Sequence, residues 1–325
     1  MTKPGKLLTI PSQDTVKMKQ PFSADNHDLL RKTFVAPTDH VVEGRENPYL
    51  IKGPALISFS GGRTSAYMLH QILDAHGGTL PDDVHVCFAN TGKEREETLR
   101  FVHECATRWN VRVRWLEFQT DLRRGYTAAD RFNEVGYNSA SRNGEPLDRL
   151  IARKKALFST MKGRWCTERC KVGVLHDFML SIGYARGSYA EVIGFRADER
   201  DRVIELPRSE RNLDRHFSFP LAQSGIRKGD VNAWWDAAPF NLKLEKGTGN
   251  CDHCPFLGDK ARIARARLFP DTMPWWKTRE ATFKFSFGYM SFADIERHII
   301  TSPLLPLNEI EADAADSECG AWCAS

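Results

Sequence analysis

Ala55-Leu56-Ile57-Ser58-Phe59-Ser60-Gly61-Gly62-Arg63-Thr64-Ser65 is the stretch that decides the fold. A short apolar run stops at two glycines. Residues 64–78 then space apolar side chains as a helix does, up to a second glycine pair, Gly77-Gly78. A strand that turns into a helix this way presents unpaired backbone N–H groups and a positive dipole end to an anion, and glycine allows close approach. Ser60, Thr64 and Ser65 add hydroxyls, and Arg63 adds a charge. The spacing is neither the Walker A pattern nor G-x-G-x-x-G. A plain glycine turn between strand and helix is the competing account.

Working outward, Val84–Asn90 (VHVCFAN) reads as a second strand, residues 97–109 as a helix and residues 111–118 (VRVRWLEF) as a third strand. Such alternation predicts an α/β fold with a parallel sheet and crossover helices on both faces. Residues 121–148 are polar, with Gly and Asn, and read as a long active-site or insertion loop. Residues 149–182 read as helix interrupted near Gly163, YAEVIGF (189–195) as a strand and SFPLA (218–222) as the last one. GDVNAWWDAA (229–238) and residues 259–269 read as helices, and the chain beyond residue 269 reads as irregular. The pairs Trp234-Trp235 and Trp275-Trp276 read as core. The expected organisation is an extension over residues 1–50, a nucleotide-binding domain over 51–245 and a cysteine-containing C-terminal region over 246–325.

The 325 residues carry 41% hydrophobic side chains and a net charge of +4. Mean hydropathy is −0.45. No apolar run approaches the roughly 20 residues that span a bilayer, and the N-terminus lacks the pattern of a secretory signal. The expectation is a cytoplasmic protein with no membrane partner. The charge is uneven: residues 302–325 hold five carboxylates and no cation, so they carry −5 and the remainder carries +9. An acidic tail beside a basic body either docks onto it or solubilises it.

Three motifs in order carry a resemblance. SGGRTS (60–65) resembles the PP-loop of the adenine nucleotide alpha-hydrolase-like superfamily. Asn90-Thr91-Gly92, followed by Glu97-Thr98, resembles the second-strand motif of its phosphoadenosine phosphosulfate (PAPS) reductase branch. Gly194-Phe195-Arg196-Ala197-Asp198-Glu199, with Arg202, resembles that branch's G-x-R segment. The resemblance implies a Rossmann-like sheet of that superfamily. It also implies a nucleotide site made by Ser58, Ser60, Gly61, Gly62, Arg63, Thr64, Ser65, Asn90, Thr91, Gly92 and Arg196. The substrate implied is an adenine nucleotide: PAPS, adenylyl sulfate (APS) or ATP. A guanidinium at a strand end suits bidentate contact with phosphate or sulfate. A surface ion pair of Arg196 with Asp198 or Glu199 is the alternative.

Six of the eight cysteines form close pairs: Cys166 with Cys170, Cys251 with Cys254, and Cys319 with Cys323. Cys87 and Cys105 stand alone and read as core. Two short-spaced pairs can supply four thiolates to zinc or to a 4Fe-4S cluster, and spacing leaves that choice open. The resemblance favours a 4Fe-4S cluster on Cys166, Cys170, Cys251 and Cys254, with zinc the alternative. The first pair departs from the adjacent cysteines of APS reductases. The basic residues around it suit a polyanion, and serve equally as a solvated helix face or an RNA-binding surface.

Glu318-Cys319-Gly320 resembles the mobile E-C-G tail whose cysteine attacks the sulfur of the bound nucleotide in sulfonucleotide reductases, although Cys323 stands where that tail continues differently. Cys319 is therefore the expected nucleophile, and Cys323 a candidate resolving thiol. The implied activity is an oxidoreductase, reducing PAPS or APS to sulfite with a thioredoxin-type reductant as partner. The rival expectation is an ATP pyrophosphatase that thiolates tRNA or DNA. A metal-stabilised nucleic-acid-binding module is a third, and it leaves the strand-SGG-helix unexplained.

Overall fold

The computed structural model describes residues 46–120, 127–245 and 248–302. Six strands form one sheet: β1 (Ala55–Ser58), β2 (Val84–Asn90), β3 (Val113–Phe118), β4 (Phe132–Val135), β5 (Ala190–Val192) and β6 (His216–Ser218). Their order across the sheet is β4-β3-β2-β1-β5-β6, with every pairing parallel except β3 with β4. The chain moves outward from β1 through β2 to β3, then returns to the other side of β1 as β5. That reversal makes a switch point between β1 and β5, and loops leaving the strand ends there frame a crevice. The α/β fold with helices on both faces is the one expected.

Side chains along each strand alternate between two apolar layers, as a period of two requires. Ala55, Ile57 and Phe59 join Val86, Phe88 and Trp115 on one face; Leu56 joins Cys87, Ala89, Leu116 and Phe118 on the other. Strands buried on both faces must be apolar throughout, hence the unbroken ALIS and the apolar run of β2. Each fully buried Leu, Ile or Phe contributes about 1.5–3 kcal/mol.

The first face is covered by α1 (Arg63–Ala75), by α2 (Glu96–Arg108) and, through Val231 and Trp235, by the later helix Lys228–Ala237. Helix α1 buries Tyr67, Met68, Leu69, Ile72 and Leu73, and stops where the Gly78 N–H donates to the Leu73 carbonyl at 2.8 Å. Glu96 and Glu97 open α2 and Arg108 closes it, each suited to the dipole at its end. On the second face lie α3 (Glu145–Lys154) and a longer helix. That helix starts at Trp165–Thr167, widens into a π-helical segment, Glu168–Gly173, and resumes as α4 (Val174–Ser181). After β5 come α5 (Arg200–Arg208) and α6 (Lys228–Ala237), then α7 (Asp259–Leu268), α8 (Met273–Phe283) and α9 (Phe292–Thr301). Ile263, Met273, Trp276, Phe292 and Ile295 of these last helices share one apolar cluster with Leu56 and Leu116.

Three expectations are corrected. The last strand is His216–Ser218, and Pro220–Gln223, which takes in most of the expected SFPLA strand, is a helical turn. Residues 121–148 are not all loop: β4 pairs antiparallel along the outer edge of β3, and α3 begins at Glu145. The segment after residue 269 is not irregular but folds as α8 and α9, the latter opened by a capping box of Ser291 with Asp294. Trp235 and Trp276 are buried core residues, as read. No helix among the described residues is long and apolar enough to cross a membrane.

Candidate functional site

The loops after β1, β2 and β5 meet at the switch point. In the first, Gly61 adopts φ +79°, and a Cβ there would stand 2.7 Å from Thr98 Cγ2. Only glycine fits both the left-handed backbone and the packing of α2 beneath it. The loop is closed by serines: the Ser60 N–H donates to Ser65 Oγ at 3.2 Å, the two hydroxyls are 2.8 Å apart, and Ser65 Oγ donates to the Gly62 carbonyl at 3.1 Å. The first amides of α1, at Arg63, Thr64 and Ser65, have by position no intrahelical acceptor. Ser58, the last residue of β1, is buried below them.

Arg196, two residues beyond Gly194 at the end of β5, crosses the switch point. Its Nη1 donates to Thr64 Oγ1 at 3.1 Å, and its Nε pairs with Asp198 Oδ1 at 3.1 Å. Glu199 accepts from the Arg196 backbone N–H at 3.0 Å. Arg196 is thus ion-paired with Asp198, as the alternative expects, but it is buried rather than at the surface and is tied to the glycine loop through Thr64.

The Asn90-Thr91-Gly92 turn is built on buried carboxylates. Asn90 Nδ2 donates to Glu117 Oε1 at 2.6 Å and to the Ser141 carbonyl at 2.9 Å, and Asn90 Oδ1 accepts from the Gly92 N–H at 3.1 Å. Glu94 accepts from the Thr91 N–H at 2.7 Å and from its hydroxyl. Gly92 has φ +77°, and a Cβ would stand 2.9 Å from the Gly144 nitrogen. Asn90 therefore holds the turn in shape through its own side chain, and residues 141–144 of the expected loop border the site.

The same turn carries the second cysteine pair. The Arg95 N–H donates to the Asn250 carbonyl at 2.7 Å, the Asp252 N–H to the Lys93 carbonyl at 2.9 Å, and Asn250 Nδ2 to the Ser60 carbonyl at 3.0 Å. Cys251 is thereby fixed beside Glu94, its Sγ 3.9 Å from Glu94 Oε1 and 3.9 Å from Lys171 Nζ. Lys171 Nζ is 3.4 Å from Glu94 Oε1. It lies on the π-helical segment that also holds Cys170 and follows Cys166, and such a segment is often found at functional sites. A small cleft between the end of β1 and the π-helical segment is lined by Ser58, Phe59, Ser60, Cys87, Ala89, Lys171 and Leu175.

Burial dominates the electrostatics here. It pushes the Cys170 thiol well above its usual range, with Cys166 and Glu94 adding to the effect. Burial pushes the Asp252 carboxyl up, while Lys93 at 2.7 Å pulls it back. Burial, then Arg265 and Lys93, push His253 down to about 3, so its imidazole is neutral. Arg265 is buried as well, and Cys254 and Cys251 support its charge. The buried Lys171 ammonium beside Cys251 and the buried Arg265 guanidinium near Cys251 and Cys254 suit thiolate ligands. The donors are not gathered, however: among the described residues no three His, Cys, Asp or Glu side chains form a group that could hold a metal ion. Cys87 and Cys105 are fully buried, and burial raises both thiols. Cys319 and Cys323 lie outside the described residues.

Sequence reasoning missed Lys93, Glu94, Asn250 and Asp252. Their only signal is position, beside Asn90-Thr91-Gly92 and inside the Cys251 segment.

Residues 54–232 match the phosphoadenosine phosphosulfate reductase domain, and the chain belongs to that family. It is 31% identical over 209 residues to an uncharacterized nin region protein of Escherichia phage lambda, covering 61% of this chain and 64% of that one. It is 26% identical over 247 residues to an uncharacterized protein of Methanocaldococcus jannaschii, covering 73% of this chain and 44% of that one. The chain thus spans somewhat under two thirds of the first relative and under half of the second. Among solved structures it is similar to the U34-tRNA thiolase NcsA from Methanococcus maripaludis with its 4Fe-4S cluster, with a TM-score of 0.33 and 12% identity over 80% of this chain and 76% of that one. A likeness that loose assigns neither substrate nor reaction.

Proposed function

We propose that this member of the phosphoadenosine phosphosulfate reductase domain family binds an adenine nucleotide by its anionic end and carries out sulfur chemistry beside it. One observation carries the reading: Ser58 and Ser60, at the start of the glycine loop, share a small cleft with Lys171, whose Nζ lies 3.9 Å from Cys251 Sγ. The α1 amides, Ser60, Thr64, Ser65 and Arg196 would hold the phosphate or sulfate oxygens, in a place where charge-assisted hydrogen bonds are strong. Ser58, Gly61, Gly62 and Arg63 complete that loop, and Asn90, Thr91 and Gly92 shape its neighbour.

The finer proposal is sulfonucleotide reduction. The Cys319 thiolate attacks the sulfur of the adenylated sulfate, and an S–S bond forms as the S–O bond to phosphate breaks. AMP or its 3′-phosphate leaves with that electron pair. A thioredoxin-type dithiol then attacks the Cys319 sulfur, releases sulfite and is oxidised to a disulfide. Cys166, Cys170, Cys251 and Cys254 would hold a 4Fe-4S cluster, which would organise charge near the substrate rather than supply electrons; zinc is the alternative. The donor chemistry supports this, and the ungathered sulfurs do not.

Cys319→Ser should abolish sulfite release from PAPS or APS while nucleotide binding persists; undiminished release would overturn the assignment. Anaerobic purification with iron, sulfide and zinc analysis tests the centre. A second reading, ATP-driven thiolation of tRNA or DNA, is favoured by the cluster of cations around the first cysteine pair. Pyrophosphate release from ATP with added nucleic acid, and no sulfite from PAPS, would select it.

A further inference from the structure

Beside the first cysteine pair lies a surface that nucleotide binding does not use. Residues 149–167 contain Arg149, Arg153, Lys154, Lys155, Lys162 and Arg164 and no acidic residue. The structure turns most of this charge outward. Helix α3 ends in Lys155 with φ +50°, and residues 159–163 then form a tight hairpin, the Gly163 N–H donating to the Ser159 carbonyl at 3.0 Å. The Thr160 N–H donates to the Phe287 carbonyl at 3.2 Å, which docks the hairpin on the loop after α8. That loop turns at Lys284, also at φ +50°. Two stretches far apart in sequence are thus fixed as one face.

Cations and rings alternate across it. Lys154 Nζ lies 5.2 Å from the Trp165 ring, Lys162 Nζ 3.9 Å from Phe285, and the Arg164 guanidinium 4.4 Å from Phe256. Tyr289 is 81% exposed and Met161 63% exposed on either side of the Thr160–Phe287 bond. Among the described residues, Lys154, Lys155, Lys162, Arg164 and Lys284 have no carboxylate within ion-pairing distance, whereas neighbouring Lys277 and Arg279 are paired with Glu296 and Asp148. Cations without a carboxylate partner, held over half-buried rings beside the exposed Tyr289 ring, suit a ligand that offers both phosphates and an unstacked base. A duplex keeps its bases stacked and would leave the rings unused.

We propose that Lys154, Lys155, Lys162, Arg164, Lys284 and Tyr289 form a binding surface for single-stranded nucleic acid. Arg164 and Trp165 immediately precede Cys166, and Phe256 follows Cys254 by two residues. A strand on this face therefore passes the entrance to the cysteine region. The surface goes beyond the nucleotide site and does not depend on it, though it would present a macromolecular substrate to the same chemistry.

The test is anisotropy of the full chain with labelled oligonucleotides of about 20 residues, as single-stranded RNA, single-stranded DNA and the matching duplexes, across a salt series. Anionic phosphatidylserine vesicles serve as the competing surface. Binding of either single strand supports the proposal, and the preferred sugar identifies the source. Lys154→Gln/Lys155→Gln/Lys162→Gln should flatten the slope of log K against log salt by about 2, at roughly 0.7 per lost phosphate contact. Tyr289→Ala should weaken binding about fivefold or more with the slope unchanged, as loss of one stacked base does. Both variants should keep the wild-type melting temperature and ATP or PAPS affinity. The proposal is overturned if the variants bind strands as the wild type does, if duplexes bind equally well without regard to Tyr289, or if only vesicles are bound. Failure here with intact nucleotide binding leaves the glycine-loop reading standing; the reverse result sinks that reading alone.

Discussion

Gly61→Ala is the perturbation whose size comes most directly from the structure. At φ +79° an alanine costs about 1–2 kcal/mol in left-handed backbone. Its Cβ would stand 2.7 Å from Thr98 Cγ2 and 3.1 Å from Phe88 and Val102, all buried. Overpacking of that kind costs about 1–3 kcal/mol. The unfolded chain returns about 0.4–1 kcal/mol, because alanine has fewer conformations to lose. The net expectation is a loss of about 2–4 kcal/mol in urea unfolding, a large share of a domain's total stability. Thr98→Ser removes the offending methyl and should by itself cost about 1 kcal/mol, as other single-methyl deletions do. Combined with Gly61→Ala it should relieve the clash and leave the backbone cost. The double-mutant cycle should then show a favourable coupling of about 1–2 kcal/mol. A Gly61→Ala variant within about 0.5 kcal/mol of wild type would refute the reasoning outright. Strict additivity in the cycle would refute the part assigned to Thr98.

Two other perturbations probe the network. Arg196→Lys cannot reach Thr64, Asp198 and Glu199 at once, so affinity for an adenine nucleotide should fall about tenfold to a hundredfold, the worth of one charge-assisted hydrogen bond; an unchanged Kd by calorimetry would remove Arg196 from the site. Glu191, buried on β5, takes bonds from Arg215 Nε at 2.6 Å and lies 3.3 Å from His176 Nε2. Burial pushes its carboxyl up, but His176 and Arg215 outweigh that and hold it below the usual range. The folded state then binds fewer protons than the unfolded one, so this stability is present above the ordinary carboxylate value of about 4.3 and is lost as pH falls through the lower folded value. Glu191→Gln should cost about 3 kcal/mol near neutrality and flatten the acid limb of an unfolding series; an acid limb identical to wild type would contradict the assignment.

The first half of the sheet was legible because its signals are local. Unbroken apolar runs, helical spacing and paired glycines mark β1 to β3 with α1 and α2, and the glycine loop and Arg196 sit in short motifs. β4 (FNEV) escaped because an edge strand with one apolar residue at each end resembles loop. α8 escaped because MPWWKTREATF has no single apolar stripe; buried Glu280, accepting from the Phe287 and Phe292 N–H groups at 2.9 and 2.6 Å, holds the turn after it. The cysteine spacing was visible, but its setting was not. Lys171 with Cys251 is a contact across 80 residues, and Asn250 with Ser60 one across 190. No pattern within either segment encodes such meetings.

That last bond has a thermodynamic consequence. Asn250 accepts from the turn after β2 through its carbonyl and donates to the glycine loop through its side chain, so one residue belongs to two sites. Whatever orders residues 250–254, a bound centre or a docked partner, lowers the entropy that anion binding must still remove at Ser60. Under the proposed function, a ligand on the glycine loop would by linkage tighten the hold on a centre carried by Cys251 and Cys254, and by the same factor. The Asn250 side chain is the bond through which the two would be coupled.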